Sequence, residues 1–200
     1  MSPRPLANVL SSEEQDVDEV WNWYEFQRAL IGEEKSRVLD AFALGASPIA
    51  SRYFGRTAEE LEDVFAYQLL ELSRLTMFGL LASTEAALRV DFVDRVKNKR
   101  KDKVSRRFRE IFGLRREKLR KIRLDEDILD AWKEHRPETK GAVGDFKGTL
   151  KLRDWLAHGR YWRPKLGRAA GYDPVDVFEI CRALLQVVGL RPMDPTDAQP

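Results

Sequence analysis

The segment LKLRDWLAHGRYWRP, residues 150–164, carries the side chains of this 200-residue chain best suited to chemistry. Arg153 stands five residues before His158. An imidazole exchanges protons near neutrality, so it serves as general base or general acid. A guanidinium keeps its charge and forks onto two oxygens of one phosphate. On an ideal helix the two lie about 140° apart, so one chain does not aim both at a single phosphate. A two-fold dimer would bring a second copy of each across an isologous interface.

Other chemistries have little to work with. His135 and His158 are the only histidines, and Cys181 is the only cysteine. That excludes an intrachain disulfide and a Cys-based zinc site, and leaves no multi-histidine metal site within one chain. No GxGxxG, GxxxxGK[ST] or GxSxG occurs, so the common nucleotide-fold and hydrolase signatures are missing. Carboxylates leave a magnesium site open in principle, but no metal or cofactor is called for.

The charge is unevenly placed. Residues 1–94 hold 8 basic and 17 acidic side chains, a net of −9. Residues 95–123 hold 15 basic and 3 acidic, a net of +12. The remaining residues sum to −1. Within the basic block, Val104, Phe108, Ile111, Phe112 and Leu114 recur at helical spacing, so the cations crowd the opposite side. Such a strip is either a solvated face, free or docked on the acidic first half, or a phosphate-binding surface. On the second reading Arg100, Lys101, Lys103, Arg106 and Arg107 contact RNA.

These residues need elements to hold them, and the pattern is helical nearly throughout. Apolar positions from Val17 to Val38 predict a helix over 14–44. Thr57 with Glu60 forms a capping box that opens a second helix. Some forty residues is long for one helix, so a break is expected at 76–79, beside Gly79. Shorter helices are expected over 104–112 and over LDEDILDAWKEH, which ends before Pro137. Residues 138–144, with Gly141 and Gly144, read as a turn. A helix over 145–158 then carries Arg153 and His158 and stops at Gly159. The last helix starts at Asp173 with Pro174 in its first turn. No period-two strand pattern or hairpin dipeptide appears. The expected fold is all-α: an N-terminal helical extension over 1–56, a bundle of four or five helices over 57–190, and a disordered tail over 191–200 with three prolines. No run of eighteen apolar residues suggests a membrane span, and no basic-then-apolar leader suggests export, so a cytosolic protein is expected.

The Arg-x4-His spacing, its place late in a helix before the final helix, and the following AHGRYW resemble the motif of the HEPN superfamily. The run LLASTEAALRVDFVDRV is similar to the long early helix of a HEPN bundle. The resemblance covers roughly residues 75–190. It implies a homodimer with Arg153 and His158 of both chains lining one cleft. It also implies metal-independent RNA cleavage, with His158 as base or acid at the 2′-OH or leaving oxygen and Arg153 on the charge developing at phosphorus. The products would be a 2′,3′-cyclic phosphate and a 5′-hydroxyl, and DNA would not be cut. Roles as a toxin or host-defence effector follow from the same resemblance, as does an antitoxin or nucleotidyltransferase partner. A non-catalytic HEPN module that binds RNA, a nucleotide or a protein is the alternative.

Several neighbours carry two readings. Asp154 follows the arginine where many HEPN motifs carry Asn or another polar residue, and it could orient His158 or an arginine, or offset the phosphate-binding charge. Glu85 could pair with Arg89 one turn on, or orient Arg153. Arg160 and Arg163 are further candidate phosphate contacts. His158 could instead cap the last carbonyls of its helix. Tyr161 and Trp162 could stack a base, with packing against the last helix preferred. Trp132, Trp155 and Cys181 read as core, and His135 as structural.

Overall fold

The computed structural model describes residues 15–46, 51–162 and 165–191. Six α-helices run in chain order: α1 Val17–Ala43, α2 Ala58–Lys97, α3 Lys103–Leu114, α4 Asp130–His135, α5 Lys140–Ala157 and α6 Pro174–Val187. Among the described residues there is no strand. The chain is all-α.

Local signals set most of the starts. Asp16 with Glu19, Thr57 with Glu60 and Asp173 with Asp176 each close a capping box, and Asp102 takes the Ser105 N–H at 3.0 Å. Each cap satisfies amides that the first turn leaves without partners, and removing one costs about 1 kcal/mol.

α2 is the central helix and packs against α1, α3, α5 and α6. Its stripe of Leu80, Leu81, Leu88 and Phe92 meets Phe108 of α3, Trp132 of α4, Phe146 of α5 and Cys181 of α6 in one core. Burying each large apolar side chain there contributes about 1.5–3 kcal/mol. The start of α1 joins this core through Val17, Val20 and Trp21, whose ring stacks on Phe178 at 4.5 Å. The far half of α1 pairs with the start of α2 around a second cluster of Val38, Tyr53, Leu61 and Phe65. By length and composition α2 could also cross a membrane.

The expected break at 76–79 is absent, and α2 runs unbroken for 40 residues. Thr76 and Thr84 donate their hydroxyls to Leu72 and Leu80 carbonyls inside the helix, so neither polar group interrupts it. Gly79 lets α1 approach: a Cβ there would stand 3.1 Å from Val20 Cγ1. The expected turn at 138–144 is also corrected. Only Pro137–Thr139 forms a 3₁₀ turn, and α5 begins at Lys140, so Gly141 and Gly144 lie inside it. Buried Thr139 donates to the Arg136 carbonyl and closes that turn early.

Before α4, Leu124–Leu129 takes a π-helical path. Asp127 accepts the Arg123 N–H at 2.8 Å and the Arg115 fork at 2.8 and 3.1 Å. Those bonds hold the segment in its wider turn. The expected tail and Arg163 fall outside the described residues, except Arg191, which pairs with Asp18 at 2.9 Å.

Candidate functional site

Arg153 and His158 close the last turns of α5, and the helix geometry sends them different ways. Arg153 points at α2, where Nη2 meets Glu85 Oε2 at 3.1 Å. Glu85 also accepts from Arg89 Nε at 2.7 Å. Glu85 therefore contacts both arginines, one oxygen for each. Arg89 extends the relay, donating from Nη1 to the Ile122 carbonyl at 3.2 Å. Asp154 Oδ1 lies 3.4 Å from Arg153 Nη1 on the solvent side. The Arg153 side chain keeps 28% of its surface exposed, so it is held without being sealed.

His158 is the C-cap residue, and its backbone N–H donates to the Asp154 carbonyl at 3.1 Å. Its side chain is exposed, with the Trp162 ring 6.3 Å away. No hydrogen bond of the imidazole to a carbonyl or to Asp154 occurs among the described residues, so the capping role belongs to the backbone alone. Among the described residues no contact joins Arg153 to His158 either, in keeping with the helix angle.

The chain then reverses through two left-handed residues, Gly159 at φ 77° and Arg160 at φ 59°. Glycine adopts that conformation freely, but arginine is strained in it. The strain is offset by bonds that pin the turn. Arg160 Nη1 donates to Glu71 Oε1 at 2.7 Å, and Arg74 reaches the same oxygen at 2.6 Å. Together Arg160 and Arg74 hold the Glu71 carboxyl down at about 2. Trp155 Nε1 donates to the Trp162 carbonyl at 2.9 Å. Arg160 thus secures the turn by pairing with Glu71. Tyr161 does not pack on α6: it is 84% exposed, with its ring 4.7 Å from Trp162.

The basic strip is reordered by the fold. Arg100 pairs with Asp94, Arg106 donates to the Lys101 carbonyl at 2.8 Å, and Arg107 reaches Glu110 at 3.3 Å. Lys101 and Lys103 are exposed and have no partner among the described residues. Among the described residues the ion pairs of this block go to Asp91, Asp94, Asp102, Glu110, Asp125, Glu126 and Asp127, and none goes to α1.

Trp132 is fully buried beneath the Arg95 guanidinium, 4.7 Å from its ring. Trp155 is only half-buried. His135 Nε2 is buried with no hydrogen-bond partner among the described residues. Burial pushes the Cys181 thiol up to about 12, which leaves it a weak nucleophile. Among the described residues no three His, Cys, Asp or Glu side chains gather where one ion could be held.

The sequence reading missed Glu71 and Arg74. The signal was present: Glu71 and Glu85 are fourteen residues apart and share one stripe of α2, each with an arginine three or four places on. Comparison with protein families, curated proteins and solved structures finds no match to this chain.

Proposed function

We propose that this protein is a metal-independent endoribonuclease of HEPN type that cuts RNA through the 2′-OH at a cleft shared by two copies. The observation that carries the reading is the end of α5. Arg153 pairs with Glu85, His158 is exposed at the helix terminus, and a strained turn pinned by Glu71 follows at once. Strain of this kind collects at functional sites. His158 moves the proton at the 2′-OH or at the leaving oxygen, and Arg153 meets the charge that grows on the phosphate oxygens. Each copy offers the two groups on divergent faces, so a second copy completes the site. A toxin or host-defence role, with an antitoxin or nucleotidyltransferase to restrain it, accords with this activity.

The test is cleavage of diverse RNAs in EDTA by the wild type, His158→Ala and Arg153→Ala. The expected result is wild-type cutting to 2′,3′-cyclic phosphate ends, silent single variants, and partial recovery when the two variants are mixed. Equal cutting by His158→Ala, or none by the wild type, refutes the reading. One observation favours the non-catalytic alternative: Glu85 and Asp154 both contact Arg153 and offset the charge it offers a phosphate. That alternative predicts salt-dependent RNA binding with no cleavage by any form.

A further inference from the structure

The loop between α3 and the π-helical turn is fixed at both ends and cationic in the middle. At its start Arg115 forks onto Asp127 at 2.8 and 3.1 Å. At its end the Ile122 carbonyl accepts from Arg89, and Ile122 is buried. Between these anchors Arg116, Lys118, Arg120 and Lys121 are exposed, and no partner is found for them among the described residues. Glu117 is the one acidic side chain among them.

The backbone reinforces the display. Arg116 and Glu117 are consecutive left-handed residues at φ 55° and 53°, where glycine or asparagine would be at ease. Their N–H groups donate to Gly113 and Phe112 at 2.9 Å, closing a tight turn. Arg106 and Arg107 of α3, and Arg100 just before it, differ, because they already serve internal partners; Lys101 and Lys103 are exposed as well, but lie outside the stretch anchored at both ends.

The loop leads toward the candidate site. Its Ile122 carbonyl, Arg89, Glu85 and Arg153 form an unbroken run of polar contacts. We propose that residues 116–121 are the phosphate-binding track of this protein, and that the occupant is single-stranded RNA whose backbone passes along it toward Arg153. The direction of the track rests on the ribonuclease reading; the binding itself does not. An anionic membrane is a poorer occupant, because such surfaces pair cations with exposed aromatic and aliphatic side chains. Here Leu119 turns inward, and Leu114 is the exposed large apolar residue nearby.

The experiment uses the full chain carrying His158→Ala, so that bound RNA stays whole. Affinity for a labelled 30-nucleotide RNA is measured between 50 and 300 mM KCl. It is repeated with Arg116→Gln, Lys118→Gln, Arg120→Gln and Lys121→Gln combined, and with Lys101→Gln and Lys103→Gln combined as control. Each phosphate contact on a single strand contributes about 0.7 to the slope of log K against log salt, so the loop variant should lose about 3 from that slope. It should bind at least tenfold more weakly at 150 mM KCl, with an unchanged melting temperature, while the control loses less. Binding within twofold of the parent, or no RNA binding by the parent at all, overturns the proposal. Loss of binding to phosphatidylserine vesicles with RNA affinity intact overturns it too. A wild type that does not cut RNA, beside a loop variant with the reduced slope, removes the nuclease reading and leaves the track standing.

Discussion

Replacing Glu85 with glutamine keeps the shape of the side chain and removes its charge. Two contacts change at once, the 2.7 Å bond from Arg89 and the 3.1 Å pair with Arg153. Glu85 is 18% exposed and Arg153 28%, so that pair is partly shielded from water. Arg89 is 39% exposed, and solvent screens it more. A charged hydrogen bond in partial burial contributes about 1.5 kcal/mol and a screened one about 0.5, giving a loss of about 2 kcal/mol for Glu85→Gln. For a chain of this length that lowers the melting temperature by about 4–8 °C. Urea unfolding of Glu85→Gln, Arg153→Gln and the double variant isolates the pairwise part. A coupling of about 1 kcal/mol with an unchanged m-value is expected. A coupling below about 0.3 kcal/mol would refute the reasoning, because Glu85 would then not be what holds Arg153 in place.

Two further outcomes test the fold around the site. Gly144 and Gly148 lie inside α5, are exposed, and leave open space for a Cβ; Gly144→Ala and Gly148→Ala should each raise stability by about 0.5–1 kcal/mol in urea unfolding. Gly79→Ala should rank below both, since its Cβ would press on Val20 at 3.1 Å. Glu71 sits at about 2 against an ordinary 4.5, so its pairing stabilises the fold above pH 4.5 and is lost as pH falls toward 2. The stability difference between wild type and Glu71→Gln should therefore shrink from about 1 kcal/mol at pH 6 to near zero at pH 2. A difference independent of pH would show that Arg160 and Arg74 do not depend on that carboxylate.

The helical class, the capped starts of α2 and α6, and the divergence of Arg153 from His158 were legible in the residues alone. Each follows from the 3.6-residue period or from a side chain bonding a backbone amide within three positions, and such signals are local. The same locality misled at Gly79 and at Gly141 and Gly144. A glycine reads as a break in sequence, but α1 needs the missing Cβ at 79, and the turn closed by Thr139 starts α5 early enough to take in the other two. The partners of the charged groups were the least legible. Arg160 finds Glu71 at a separation of 89 residues, and Arg89 finds the Ile122 carbonyl at 33. A cation in a sequence is only a charge. Packing decides whether it is neutralised inside the fold, like Arg160, or left facing water, like Arg116 and Lys118, because only the assembled helices fix which carboxylates lie within reach.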